Sequence, residues 1–131
     1  MVTKDDSGVL TIIMHNCKQF SQAYLMHPEE TALSDSYEDL RNLQVILLME
    51  ELCPGTYHMK TTILNEQHGS ILHALTVFGK SENLSPQDYA YLRSTSIPQQ
   101  QYRTVTCGPT FQLEAMLVPN EVRLVQISPK Q

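Results

Sequence analysis

Apolar and polar positions alternate in several short stretches of this chain, and they rarely follow a helical period. Residues 9–15, VLTIIMH, are rich in β-branched and long apolar types and predict a strand. Residues 57–64, YHMKTTIL, place Tyr57, Met59, Thr61 and Ile63 on one face and His58, Lys60, Thr62 and Leu64 on the other. TFQLEAMLV, 110–118, sets Phe111, Leu113, Ala115 and Leu117 against Gln112 and Glu114, and EVRLVQI, 121–127, is the last strand after a turn at Pro119-Asn120.

Between the first two of these lies a polar, irregular connection over 16–42, long for a compact domain. It leads into NLQVILLMEEL, 42–52, where propensity alone allows a helix; the short length and the Cys53-Pro54-Gly55-Thr56 turn straight after favour a strand. Within it Val45, Ile46, Leu47, Leu48 and Met49 leave no polar face. Such a strand is either covered on both sides or turns one side to another domain. The Pro-Gly step predicts that this strand and 57–64 form a hairpin or a neighbouring pair.

One helix is signalled, SPQDYAYLRS at 85–94. Ser85 caps, Pro86 takes the first helical position, Asp88 completes a capping box, and Tyr89, Leu92 and Tyr91 supply the buried side. The expectation is an all-β fold: an antiparallel two-sheet β-sandwich with one short helix near 85–94, residues 1–131 forming a single domain of a larger multidomain protein.

Composition narrows the roles open to such a domain. Of 131 residues 18% are charged and nine are Lys or Arg, with a formal net charge of -5. Scattered cations on an acidic chain argue against a nucleic-acid grip, which needs clustered positive charge. No apolar run reaches membrane-spanning length, and the first residues, MVTKDDSGVL, carry no signal-type apolar core. Cys17, Cys53 and Cys107 stand far apart, an odd set that fits reduced thiols and a cytoplasmic setting.

Each candidate for chemistry is incomplete. NEQHGS, 65–70, juxtaposes Glu66 and His68, yet glycoside hydrolysis needs two carboxylates and no spacing supplies a second. His15 and Cys17, joined by His58, His68 or His73, make a zinc set only on paper, because tight paired ligand spacing is missing. Cys107, beside Gly108-Pro109, has no identifiable base. Sugar recognition would need aromatic platforms; there is no tryptophan, and Tyr24 and Tyr37 are the expected surface tyrosines. The reading is therefore no catalytic residue, no metal site and no cofactor, with an independent carbohydrate-binding module as the alternative.

Four segments carry a family resemblance: GVLTIIMHNCKQF at 8–20, YEDLRNLQVILLMEELCPGTYHMKTTILNEQHGS at 37–70, FGKSENLSPQDYAYLRSTSIPQ at 78–99, and LVPNEVRLVQI at 117–127. Together they resemble the C-terminal β-sandwich that follows the catalytic barrel in glycoside hydrolase family 39, the β-xylosidase and α-L-iduronidase family. The most specific parts are the Pro-Gly-x-Tyr entry into a strand, the His-Gly-Ser loop and the Leu-Ser-Pro-x-x-Tyr helix entry.

The resemblance implies that the catalytic glutamates belong to a barrel of about 250 residues, which this chain is too short to contain. It also implies that Asn65-Glu66 matches no catalytic position. Where family xylosidases carry an Asp-Ala-Trp-like stretch, this chain reads His73-Ala74-Leu75. That departure puts hydrolysis by the parent in question, and the parent is expected to be either a β-xylosidase or an AraC-type, sugar-responsive regulator bearing a glycosidase-like region. The implied role is packing against that barrel, with strand 45–49, connection 16–42 and loop 65–79 as contact elements. An exposed apolar patch is then expected, open to self-association in the isolated unit.

Overall fold

The computed structural model of the chain describes residues 1–32, 35–71, 75, 79 and 83–130. Among these residues there are seven strands: β1 (Val2–Lys4), β2 (Leu10–His15), β3 (Leu43–Met49), β4 (Gly55–Leu64), β5 (Gln99–Cys107), β6 (Phe111–Leu117) and β7 (Val122–Pro129). Among the described residues, two helices are delimited between them, α1 (Gln22–Met26) and α2 (Pro86–Thr95). The strands form one sheet in the order β1-β2-β7-β4-β5 and a second made of β3 and β6, and every pairing is antiparallel. The fold is an all-β, two-sheet sandwich with a short helix, as the alternation predicts.

The period-two pattern explains the layering. Tyr57, Met59 and Ile63 of β4, Ile12 and Met14 of β2, and Val125 and Ile127 of β7 turn inward from the large sheet and are buried. All of these but Ile63 join Leu113, Ala115 and Leu117 of β6 in one core cluster, with Val45, Leu47 and Met49 of β3 packed alongside. Burying these side chains is the main favourable term holding the two layers together.

Pro54-Gly55 does not close a hairpin. β3 pairs with β6, while β4 uses its two edges on β5 and β7, so the Pro-Gly step carries the chain from one layer to the other. Both flanking strands must bury alternate residues against each other, which they do from opposing layers and could not do side by side. The crossing is fastened by the Tyr57 hydroxyl, which donates to the carbonyl of Cys53 at 2.6 Å. Pro119-Asn120 makes the return crossing. Asn120 sits at φ 60°, and the N–H of Glu121 donates to the carbonyl of Val118 at 3.1 Å, closing the turn.

Helix α2 starts as its sequence requires. The Ser85 hydroxyl accepts from the Asp88 N–H, and the Asp88 carboxylate accepts from the Ser85 N–H, with Pro86 in the first turn. Its buried side is narrower than expected: Leu92 is 2% exposed, whereas Tyr89 and Tyr91 are more than half exposed. Leu92 is the one fully buried residue of the helix, so its tyrosines stand on the wet side.

The registers define two ends. Leu10, Ile127, Gly55, Cys107 and Phe111 lie towards one, joined by short turns; His15, Val122, Leu64, Gln99, Leu43 and Leu117 lie towards the other. Both long excursions, 16–42 and 65–98, leave and return at this second end.

Candidate docking surface

Three of the side chains on the solvent face of the small sheet are apolar. Across β3 and β6, Ile46 stands opposite Glu114, Leu48 opposite Gln112, and Met116 opposite Gln44. Ile46 is 56% exposed, Leu48 61% and Met116 50%. Diagonal neighbours in a sheet come within reach of long side chains, so Met116 and Ile46 extend one another's surface. Strand β3 is therefore covered on one side only, and Val45, Leu47 and Met49 are the covered side.

The excursion over 16–42 adds a second apolar element. Phe20 and Tyr37 form an antiparallel bridge, reinforced by bonds from the Ser21 N–H to the Ser36 carbonyl and from the Glu38 N–H to the Gln19 carbonyl. Phe20 stacks on Tyr24 with centroids 4.7 Å apart and on Tyr37 at 5.3 Å. Stacking leaves Tyr24 and Tyr37 half-buried; the exposed tyrosines are Tyr89, Tyr91 and Tyr102. Leu25, Met26 and Leu40 are exposed in the same excursion. Its base is tied by Lys18, which donates to Asp39, while Asp39 also accepts from the Arg41 N–H. The Lys18 hydrogen bond, helped by the Arg41 N–H, holds the Asp39 carboxyl below its ordinary value.

Loop 65–70 is built around Asn65 rather than Glu66. Asn65 Oδ1 accepts from the N–H groups of Gln67 and His68, an Asx-type turn, and Glu66 projects into solvent. Gly69 follows at φ +82°, where a Cβ would stand 2.5 Å from Leu64 Cδ1 and 3.1 Å from the Pro98 nitrogen.

Asn65 Nδ2 reaches instead to Glu121, a carboxylate only 2% exposed, which is also paired with Arg123 at 2.7 Å. Nearby Asn16, likewise buried, donates from Nδ2 to the carbonyls of Arg41 and Leu117, both at 3.1 Å. Sequence reasoning missed Glu121 because a glutamate beside Pro-Asn reads as solvated; the one signal was Arg123 two residues on, on the same face of a strand.

The paper metal set does not assemble. His15 pairs with Val122 and His58 with Ser128, so six residues of β7, roughly 20 Å, separate them along the sheet. Cys17 is exposed beyond His15, and His68 lies half-buried in its loop. Among the described residues no three His, Cys, Asp or Glu side chains are grouped to hold a metal ion. His73 and Ala74, together with much of loop 65–79, lie outside the described residues. Cys107 is buried, and burial pushes its thiol up, away from the reactive thiolate. No described helix is long and apolar enough to cross a membrane.

No family model matches the sequence, and no curated protein is detectably similar to it. Solved structures do share its fold. The chain is similar to a GH39 enzyme from Xanthomonas axonopodis pv. citri, with a TM-score of 0.73 and 17% identity over 98% of this chain and 25% of that one. It is similar to a monomeric β-xylosidase from Caulobacter crescentus CB15, with a TM-score of 0.70 and 15% identity over 99% of this chain and 26% of that one. A bacterial orthologue of human α-L-iduronidase gives 0.64 and 12%, over 99% and 22%. The class defined is a small β-sandwich of the kind these glycosidase structures carry, and the chain spans about a quarter of their length.

Proposed function

We propose that residues 1–131 form a non-catalytic accessory sandwich that packs against a glycosidase-like (β/α)8 barrel of its parent protein. The observation that carries this reading is the outward face of β3 and β6, where Ile46, Leu48 and Met116 are exposed on a sheet whose other face is already the core. An apolar cluster on that side is explained by a covering partner, because a sheet open to water alternates apolar with polar. Covering on the order of 300 Å² of apolar surface, at about 25 cal/mol per Å², contributes several kcal/mol before the cost of fixing the two bodies together. The fold likeness to chains about four times as long supports the same arrangement.

The role is structural, and any carbohydrate is met by the barrel. The parent is either a sugar-responsive regulator or a β-xylosidase, working in the cytoplasm. Placing Ile46→Lys and Leu48→Lys together in the parent protein tests the docking: calorimetry should resolve a separate transition for the sandwich where the parent shows one. A single unchanged transition overturns the reading. Hydrolysis of an aryl xyloside by the intact parent distinguishes the two parents.

A further inference from the structure

The two layers are unequal, and the shortfall lies beside β6. Met59 pairs with Arg103 and Thr61 with Gln101, so all four side chains share the inward face of the large sheet. Met59 and Thr61 are buried, whereas Gln101 and Arg103 are exposed. The small sheet therefore stops one strand short of β5. The gap is a groove of about 270 Å³ floored by Met59, Val125 and Arg103 and walled by Leu113, Glu114 and Ala115 of β6.

Among the described strands β6 pairs only with β3, which leaves its other edge open to the groove. Part of that edge is occupied by a side chain: Arg123 Nη2 donates to the Met116 carbonyl at 3.2 Å. Residues two apart in a strand turn their backbone groups to the same side, so the N–H and C=O of Glu114 face the groove as well.

We propose that this groove accepts a single extended polypeptide segment, which pairs with β6 as a third strand of the small sheet and covers Gln101 and Arg103. Strand addition of this kind takes its affinity from main-chain bonds and its selectivity from alternate side chains. The groove fixes that selectivity. Arg103 has no carboxylate within ion-pair distance among the described residues, and its nearest partner is the Met59 sulfur at 4.0 Å. An inward acidic residue of the segment meets Arg103, and inward apolar residues on either side of it meet Leu113, Ala115 and Val125.

A second copy of this chain does not fit. Two sandwiches brought edge to edge at β6 would drive their projecting β5 strands into one another. Tyr102 borders the groove, but its register with Lys60 puts its ring on the opposite face of β5, with Lys60 Nζ 5.6 Å from its centroid, so a sugar finds no platform inside. The site is an edge, distinct from the outward face of β3 and β6, so the proposal stands or falls apart from the docking reading above.

The test titrates the full chain with a synthetic peptide of about nine residues, threonine throughout except for two inward valines flanking an inward central glutamate. Saturable binding is expected, with amide shifts at 101–103 and 113–115 and slowed exchange of the Glu114 N–H. Arg103→Glu should weaken binding at least about tenfold, and replacing the peptide glutamate by lysine should restore it to within about threefold. Glu114→Pro, which removes a groove-facing N–H, should abolish binding; the charge swap decides the matter if that variant fails to fold. No saturation at millimolar peptide overturns the proposal. So does a response confined to Ile46, Leu48 and Met116, a dimer formed through β6, or equal shifts at 113–115 with a xylo-oligosaccharide.

Discussion

Asn65 donates to Oε1 of Glu121 at 3.1 Å, joining two turns 56 residues apart in the chain. Arg123 grips the other carboxylate oxygen, with Nε at 2.9 Å, so a buried charge is paired and hydrogen-bonded on both sides. The polar letters of NEQHGS thus serve the architecture through the asparagine. Removing one partner of such a pair strands a charge away from water. Arg123→Met should destabilise the fold by about 3 kcal/mol or more, and Asn65→Ala by about 1 kcal/mol. Urea unfolding checks the order; an Asn65 effect exceeding that of Arg123 would refute it.

The capping box at Ser85 and Asp88 gives a local prediction. Ser85→Ala should cost about 1 kcal/mol. Hydrogen exchange should speed within 86–95 while β4 and β7 stay protected. Uniform loss of protection throughout the sandwich would show that α2 is coupled to the core more tightly than Leu92 alone allows.

Two leucines one strand apart separate core from surface. Leu113→Ala, in the packed interior, should cost about 2–5 kcal/mol. Leu48→Lys, on the outward face, should change the stability of the isolated chain by no more than about 0.5 kcal/mol. Thermal unfolding of both variants is the measurement, and comparable losses would mean the outward face is already covered.

Acid should act on the base of the 16–42 excursion. Asp39 is held below its ordinary value of 3.8, chiefly by Lys18. A depressed carboxylate stabilises the fold above the unfolded-state value and loses that contribution as pH falls through the folded-state one. Asp39→Asn should therefore be less stable than the parent chain at about pH 7, and the difference should close by about pH 2. Equal differences in urea midpoint at both values would remove Asp39 as the cause. Asp5, depressed by the Ser7 hydroxyl and the Val9 N–H, titrates in the same sense and is controlled by an Asp5→Asn background.

Alternation made β2, β4, β6 and β7 readable, because each buries one face and wets the other. Strand β5 escaped notice for the converse reason: along QQQYRTVTC only Cys107 is buried and only Gln99 and Val105 are partly so, since the layer that would cover its middle is missing. The partner of β3 is not legible locally, because a Pro-Gly turn looks the same whether it folds a hairpin or crosses between sheets. Ile46 and Leu48 announced an unusual surface through the lack of polar residues beside them. The groove beside β6 left no such mark, for it arises from strand order, which no local pattern encodes.

Because 16–42 and 65–98 both leave and rejoin the sandwich at its far rim, residues can be gained or lost there without moving any ladder out of step. The strand registers and the lengths of those two excursions are separable properties. A change of length confined to either excursion leaves the strand registers and the side chains buried between the sheets as they are.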